Sequence, residues 1–345
     1  MTRMLEKPEL QDEILTAGLR DGYGLQDARV TFLPLGADQN TAVYRVNAQD
    51  GTAYFLKLRR GPFDPLAVEL PKYLSERGIA PVIAPLAARS GQLWAPLDPF
   101  TAILYPFIEG QDGYQAALSD RQWVDFGAAL KALHTLHLPT NLAQRLKQES
   151  FSAKWRQATR KMLDQVEMES YADPVAVKCA ALMKSRRQQA LELVERAERC
   201  AKTLQSRPLE MVLCHTDLHA GNLLICPNGA FYLVDWDDAL LAPRERDLMF
   251  IGGAQGFVGH TPQEEEALFY RGYGPVQVDP TALAYYRYER IIQDLAIFCQ
   301  QLLLSSAGGE DREQAFQYLA SNFLLGGTIE AADRAAKALG DGQAR

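Results

Sequence analysis

The chain has 345 residues, of which 47% are hydrophobic and 23% are charged, so it can bury a sizeable core and is not a disordered or fibrous sequence. Its 43 acidic and 36 basic side chains give a formal net charge of -7 without a basic block, which argues against nucleic acid as a partner. The five cysteines include no C-x-x-C pair, so they indicate neither a disulfide framework nor a zinc ribbon.

The first segment, MTRMLEKPEL, carries charges where a secretory signal needs an apolar stretch. No run in the sequence approaches the roughly 20 apolar residues of a membrane-spanning helix. We therefore predict a cytoplasmic protein that has no membrane partner. The length fits two lobes, and nothing in the sequence specifies an oligomeric state.

The N-terminal part of the chain is rich in strand patterns. Residues 28–58 alternate between apolar and polar side chains in three short runs, which are separated by the polar turns GADQN and NAQDG. The segments QLWAPL and FTAILYPFI predict two more strands. Between the three runs and these two segments we predict a helix from Asp64 to Gly78, which Pro71 should interrupt or restart.

The C-terminal part is mostly helical. The segment LSDRQWVDFGAALKALHTLHLP has apolar residues at intervals of three and four, and residues 151–208 are rich in helix-forming side chains. Residues 282–304 carry one apolar stripe, with Arg290 and Asp294 able to pair at i,i+4. One polar hairpin, formed by NLLIC and FYLVDW around a Pro-Asn-Gly turn, interrupts the helices. The pattern predicts an α+β, two-lobed protein.

The segment CHTDLHAGNLL before this hairpin has two interpretations. His215, Asp217 and His219 could share one face of an extended strand and bind zinc or iron, with Asp235 closing the set. Alternatively, Asp217 could face a substrate hydroxyl while Asn222 and Asp235 offer oxygen ligands to magnesium on ATP phosphates. The spacing alone leaves both open.

The segments HTDLHAGN and VDWD together resemble the catalytic loop and metal-binding aspartate of the aminoglycoside phosphotransferase and choline kinase family, which is related to the protein kinases. The segments LGADQNTAVYRV, FLKLRRG, LYPFIEG, LLAPRERDLMFIGG and YYRYERIIQDLA are similar to successive segments of the spectinomycin phosphotransferases. The resemblance implies a protein-kinase-like fold with an antiparallel-sheet N-lobe at residues 1–105, a hinge at 106–110 and a mainly helical C-lobe at 111–345.

The same resemblance implies an enzyme that uses ATP and Mg²⁺ to phosphorylate a hydroxyl group of a small molecule. By position in the motifs, Asp217 is the catalytic residue that orients or deprotonates this hydroxyl. Asn222 and Asp235 are the magnesium ligands, and Lys57 in the strand YFLKL holds the α- and β-phosphates.

Further nucleotide-binding residues follow from the resemblance. Glu69 is the expected ion-pair partner of Lys57, with Glu76 as the alternative. The turn GADQNT should cover the phosphates through backbone N–H groups near Asn40 and the hydroxyl of Thr41.

The resemblance also implies contacts to the adenine base and two residues that hold the catalytic loop. The carbonyl of Pro106 and the N–H of Ile108 are expected to pair with the adenine. His215 is expected to brace the catalytic loop rather than act as a base, and Asp247 is the expected buried anchor of that loop's backbone.

The implied acceptor is a cationic aminocyclitol antibiotic such as spectinomycin. Asp237, Asp238 and Glu289 are candidates for lining an acidic substrate cleft, although each could be a solvated surface charge. Another aminoglycoside, choline, methylthioribose or a sugar-like metabolite remain alternatives, since fold and loop do not identify the alcohol. A metal-dependent hydrolase and a nucleotide-binding pseudokinase regulator are the alternatives from other classes.

Overall fold

The computed structural model describes residues 7–35, 40–79, 81–253, 255–305 and 311–342. The chain divides into two compact units. The first consists of the chain up to Asp112 together with Asn222–Asp238, and the second consists of Gly113–Gly221 and the chain from Ala239 onwards. Gly36, in the predicted phosphate-covering turn, lies outside the described residues.

The strands are short and belong to three sheets. Their bounds are β1 Arg29–Leu33, β2 Thr41–Asn47, β3 Ala53–Arg60, β4 Ala95–Leu97, β5 Phe100–Pro106, β6 Gln111–Asp112, β7 Val212–Cys214, β8 Leu223–Ile225, β9 Phe231–Leu233 and β10 Leu240–Ala242. The sheet orders are β1-β2-β3-β5-β4, β6-β8-β9 and β10-β7.

The helices dominate the second unit. Their bounds are α1 Asp12–Tyr23, α2 Leu66–Glu76, α3 Asp120–His134, α4 Thr140–Ala143, α5 Lys154–Met168, α6 Pro174–Ser185, α7 Arg187–Gln205, α8 Glu245–Leu248, α9 Pro262–Tyr273, α10 Pro280–Leu304, α11 Asp311–Ser321 and α12 Thr328–Gly342. A short 3-10 turn covers Ala220–Asn222. None of the helices in the described ranges is long and apolar enough to cross a membrane.

The five-stranded sheet of the first unit is antiparallel throughout, as the sequence predicts. Leu56 lies opposite Tyr44 on β2 and Leu104 on β5, and all three side chains are buried. Leu15 and Leu19 of α1 pack in the same apolar cluster. This helix was not predicted from the sequence. It covers one face of the sheet. The strand β3, which contains the buried Leu56, also carries Lys57.

The prediction that Pro71 interrupts its helix is wrong, because α2 continues through it. Proline in a helix interior removes one backbone hydrogen bond and costs about 3 kcal/mol. Val68, Leu70 and Leu74 of the same helix are fully or almost fully buried, so hydrophobic burial offsets this cost. The helix begins where the Leu66 N–H donates to the Asp64 carboxylate at 3.0 Å.

The second unit is organised around the long helix α10. Its predicted apolar stripe is present, since Ile291, Leu295 and Leu302 are buried in one cluster with residues of α5, α6, α7, α11 and α12. The predicted pair between Arg290 and Asp294 is also present, with 3.2 Å between the guanidinium Nε and the carboxylate.

Helices α3 and α9 approach each other closely at two glycines. A Cβ atom at Gly127 would lie 2.0 Å from the Phe269 carbonyl oxygen, and one at Gly272 would lie 1.7 Å from the Val124 carbonyl oxygen. Only residues without a side chain permit this backbone contact. α9 is therefore fixed against α3, which ends at the buried residue His134.

A buried carboxylate on α9 makes the second unit sensitive to pH. The Glu265 side chain accepts a hydrogen bond from the Gly252 N–H at 3.1 Å, and the residue is only 4% exposed. Burial raises the pKa of Glu265 to about 7, against the lowering effect of that hydrogen bond. Between its unfolded and folded pKa values the folded chain binds more protons, so this group reduces stability as pH rises.

We predict that Glu265→Gln removes this loss of folding stability at high pH. The variant should match the wild type in stability near pH 4 and below, where the carboxyl is largely protonated in both the folded and the unfolded chain. By pH 8 it should be more stable by up to about 3 kcal/mol, because it has no buried charge. Urea unfolding of both proteins across this pH range measures the difference. Parallel stability curves would contradict the assignment.

Candidate active site

In the first unit, Lys57 of β3 is paired with two carboxylates. Its Nζ lies 2.9 Å from Asp235 Oδ1 and 2.8 Å from Asp237 Oδ2. The Lys57 side chain is 13% exposed. Burial alone would lower the pKa of Lys57, but the charges of Asp235 and Asp237 outweigh it and raise this pKa. Lys57 is therefore a permanent cation at neutral pH.

The hairpin of β8 and β9 brings Asn222 and Asp235 together in the first unit. The Val234 N–H donates to the Asn222 carbonyl oxygen at 3.0 Å, which fixes the backbone next to Asp235. Asp235 has a φ of 67° and its side chain is 48% exposed. A carboxylate and a side-chain amide oxygen are ligands that Mg²⁺ accepts, so this donor set fits a magnesium ion.

Asp237 was expected to line an acidic substrate cleft, and its contacts are different. Its carboxylate is bound by Lys57 and also by Arg59, two residues further along β3. Residues two apart on a strand point to the same side, so the spacing of Lys57 and Arg59 on β3 could have indicated a shared carboxylate partner. Asp238 is exposed.

The expectation for Glu289 is also wrong. Glu289 is buried on α10 and forms an ion pair with Arg156 at 2.6 Å. It is therefore neither a surface charge nor available to a substrate.

In the second unit, Asp217 lies within a group of polar side chains. Its Oδ1 is 2.5 Å from Arg290 Nη1, and its Oδ2 is 3.5 Å from His219 Nε2. Tyr114 contacts the other nitrogen of His219, with 3.0 Å between its hydroxyl and Nδ1. Burial alone would raise the pKa of Asp217, but Arg290 and then His219 hold it well below its usual range.

Asp247 anchors the loop that carries Asp217, as the sequence predicts. Its buried carboxylate accepts hydrogen bonds from the His215 N–H at 2.9 Å and the Thr216 N–H at 2.6 Å, and contacts His134 Nε2 at 3.1 Å. Thr216 has a φ of 78°, which a β-branched residue rarely adopts. The His215 ring in turn accepts a hydrogen bond from the Asp217 N–H at 3.4 Å. The bracing role of His215 is confirmed.

Comparison with known proteins identifies the family. A sequence model of the phosphotransferase enzyme family matches residues 31–286. The chain belongs to this phosphotransferase family. A structure of spectinomycin phosphotransferase APH(9)-Ia, in complex with ADP and spectinomycin, is 33% identical and has a TM-score of 0.88. The alignment covers 96% of this chain and 99% of that one. No curated protein matches the chain significantly.

More distant solved structures share the fold. Amicoumacin kinase hAmiN, in complex with AMP-PNP and Ca²⁺, is 16% identical with a TM-score of 0.58, and the alignment covers 94% of each chain. Plasmodium vivax ethanolamine kinase is 15% identical, also with a TM-score of 0.58, over 92% of this chain and 90% of that one. The expected kinase-like α+β fold is confirmed, and the protein is a small-molecule phosphotransferase.

The zinc or iron cage suggested by the two histidines is not formed in the phosphotransferase. Among the described residues, the one group of three side chains that could hold a metal consists of His134, Cys214 and Asp247. His134 and Asp247 already bind each other, and the Cys214 thiol donates to the Ala242 carbonyl oxygen at 3.7 Å. This group is therefore a hydrogen-bonded part of the core.

The other predicted nucleotide-binding residues lie in the first unit. Asn40 precedes β2, and its carbonyl oxygen accepts the Arg60 N–H at 2.8 Å, which joins it to β3 next to Thr41. Pro106 ends β5, and Ile108 follows it. Glu69, the expected ion-pair partner of Lys57, lies in the first turn of α2, and the carboxylates that pair with Lys57 in the structure are instead those of Asp235 and Asp237. Their roles in binding a nucleotide remain predictions.

We predict that Asp247→Asn lowers both stability and phosphotransferase activity. An amide can present one oxygen, so an NH₂ group would face either the His215 or the Thr216 N–H. Loss of one hydrogen bond to a buried charge should cost about 2–4 kcal/mol. Urea unfolding measures this cost. The control is Asp125→Asn, which removes an exposed ion pair with Arg121 and should change stability by less than about 0.5 kcal/mol. Equal stability of the two variants would contradict the anchoring role.

Proposed function

We propose that this phosphotransferase moves the γ-phosphate of ATP, with Mg²⁺, to a hydroxyl group of a cationic aminocyclitol such as spectinomycin. Support comes from the 33% identity to spectinomycin phosphotransferase over almost the whole of both chains. Adenine nucleotides occupy the solved relatives, as ADP, AMP or AMP-PNP, which favours ATP as the phosphate donor. The sequence has no basic block, which agrees with a small-molecule substrate rather than a nucleic acid.

The observation that carries the proposal is the charge arrangement around Lys57. One buried cation lies within 3 Å of two carboxylates, and one of them, Asp235, follows a strand whose backbone is tied to Asn222. In our proposal Lys57 binds the α- and β-phosphates, and Asn222 and Asp235 hold the metal. When bound, Mg²⁺ neutralises charge on the phosphate oxygens.

Asp217 is proposed to orient the acceptor. It precedes Asn222 by five residues in the same loop. Phosphoryl transfer has a loose transition state in most analyses, so the hydroxyl needs alignment more than early deprotonation. A carboxylate whose pKa is held low by Arg290 suits this task, because it stays ionised and accepts a hydrogen bond from the hydroxyl.

The proposed reaction is a direct displacement. The acceptor oxygen forms a bond to the γ-phosphorus while the bond between this phosphorus and the β-phosphate oxygen breaks, and ADP leaves. The hydroxyl proton passes to the Asp217 carboxylate as the new bond forms, and then to solvent. Catalysis rests on orientation and on electrostatic stabilisation of the transferred group.

The remaining assignments belong to the same proposal. Glu69 supports Lys57, the backbone at Asn40 and the Thr41 hydroxyl contact phosphates, and Pro106 and Ile108 contact the adenine. The proposed N-lobe, hinge and C-lobe are residues 1–105, 106–110 and 111–345.

One prediction concerns the acceptor. Purified protein with ATP and Mg²⁺ should phosphorylate spectinomycin at one hydroxyl, which mass spectrometry and NMR of the product locate. A panel of other aminoglycosides, choline, methylthioribose and simple sugars tests the alternatives. Turnover of a panel member without turnover of spectinomycin would contradict the proposed acceptor but would support the proposed kinase activity. ATP-dependent phosphorylation of none of them, combined with bound zinc or iron by elemental analysis, would favour a hydrolase.

Asp217→Ala should lower kcat by about 10²–10⁴-fold and leave ATP binding nearly unchanged, because only alignment of the hydroxyl is lost. Steady-state kinetics and calorimetric titration with ATP measure the two effects. Full turnover by the variant would contradict the role of Asp217.

Lys57→Met should weaken ATP binding by about tenfold and lower kcat by about 10²-fold, because a buried cation that contacts the phosphates is removed. The control is Lys72→Met, which changes an exposed lysine paired with Glu76 on α2. This control should behave as the wild type. Equal kinetics of the two variants would contradict the role of Lys57.

A further inference from the structure

Arg290 stands between two carboxylates in the second unit. On α10 its Nε lies 3.2 Å from Asp294 Oδ1, one helical turn further along, and its Nη1 lies 2.5 Å from Asp217 Oδ1. The Arg290 side chain is 18% exposed. Its guanidinium also lies above the Phe250 ring, 5.9 Å from the ring centre. The hydrogen bond to Asp217 therefore fixes the direction of this guanidinium, and Asp294 attracts its charge.

The second oxygen of Asp217 faces His219, whose protonation geometry can be assigned. The Gly221 N–H donates to His219 Nδ1 at 3.0 Å, so this nitrogen is an acceptor. In the neutral ring the proton is then on Nε2, which faces Asp217 Oδ2 at 3.5 Å. Tyr114 stacks on the same imidazole at 5.9 Å between ring centres and keeps it in place. Arg290 and His219 thus lie beside the two oxygens of Asp217.

We propose that Arg290 is a positioning residue for phosphoryl transfer, which holds the Asp217 carboxylate in the orientation needed to align the acceptor hydroxyl. The inference rests on the proposed role of Asp217. A donor beside each of its two oxygens fixes the plane of the Asp217 carboxylate. Asp294 forms an ion pair with Arg290 and offsets its charge.

The alternative is an ion pair that only stabilises the fold. A partly exposed pair of this kind contributes about 0–1 kcal/mol, and its loss should leave kcat unchanged in the folded enzyme. A positioning residue behaves differently, because a displacement of about 1 Å at a reacting group can cost about 10²-fold in rate without a change in ground-state binding. The effects on kcat and on KM, measured separately, therefore distinguish the two roles.

The test compares Arg290→Gln, Arg290→Lys and the control Arg121→Gln. Arg121 forms an i,i+4 pair with Asp125 on α3, as Arg290 does with Asp294 on α10, but it is far more exposed. The substrates are ATP and spectinomycin, or, if spectinomycin is not phosphorylated, the panel alcohol with the highest turnover. Arg290→Gln should lower kcat by about 10²-fold and change either KM by less than about threefold. The kcat of Arg290→Lys should be at least about tenfold higher than that of Arg290→Gln, and the kcat of the control should match that of the wild type.

The pH profile gives a second readout. The charged or titratable groups that face Asp217 in the second unit are Arg290 and Asp294 of α10, His219 of its own loop and Tyr114. Removing the guanidinium should move the acid limb of kcat upward by about 1–3 pH units. An acid limb at the wild-type position would count against the proposal.

Three results distinguish the possible failures. If Asp217→Ala keeps full turnover, the proposed role of Asp217 fails and Arg290 loses its target. If Asp217→Ala is inactive while Arg290→Gln keeps kcat within about twofold of the wild type, only the Arg290 proposal is overturned. If Arg290→Gln does not fold, Asp294→Asn carries the test, because it frees Arg290 without removing its charge. This variant should lower kcat by about tenfold with KM unchanged, and an unchanged kcat would overturn the proposal.

Discussion

The buried carboxylate of Asp247 is the interaction on which the proposed catalytic loop depends. It accepts the backbone N–H groups of His215 and Thr216, and the second of these residues adopts a backbone conformation that a β-branched side chain disfavours. A negative charge without solvent requires such donors, and a strained backbone requires such an anchor, so each stabilises the other. Asp217 follows directly on this loop, and its position is therefore set by a residue 30 positions later in the sequence.

Paired charges then determine the protonation states of the functional groups. In the first unit, Asp235 and Asp237 keep Lys57 cationic although it is mostly buried. In the second unit, Arg290 keeps Asp217 ionised although burial acts in the opposite direction. The proposed mechanism uses both groups as fixed charges rather than as a base that titrates near neutral pH. The family membership of the chain agrees with this interpretation, since phosphoryl transfer depends mainly on positioning and electrostatics.

Local sequence patterns predicted much of the fold and some of the site. Alternation of apolar and polar residues predicted the strands of the N-terminal part, including β3 with Lys57. Residues at intervals of three and four predicted the buried stripe of α10 and the pair of Arg290 with Asp294. These features depend on residues that are close in the chain. The loop anchor Asp247 was found through the family resemblance, because no local pattern distinguishes it from a surface charge.

The features that the sequence did not reveal depend on distant contacts. Glu289 reads as a substrate-lining or surface acid until Arg156, which is 133 residues earlier, is placed beside it. Pro71 reads as a helix breaker until the burial of its neighbours is known. The contact of Arg290 with Asp217 links residues 73 positions apart, and no periodicity relates them.

The most direct test of the account is the stereochemical course of the reaction at phosphorus. ATP made chiral at the γ-phosphorus with oxygen isotopes is used as the donor, and the configuration of the phosphorylated acceptor is determined by phosphorus NMR. If Asp217 orients the acceptor for one in-line displacement, the configuration is inverted. Retention would require two displacements through a phosphorylated residue of the enzyme, and it would contradict the central claim that fixed charges align donor and acceptor for direct transfer.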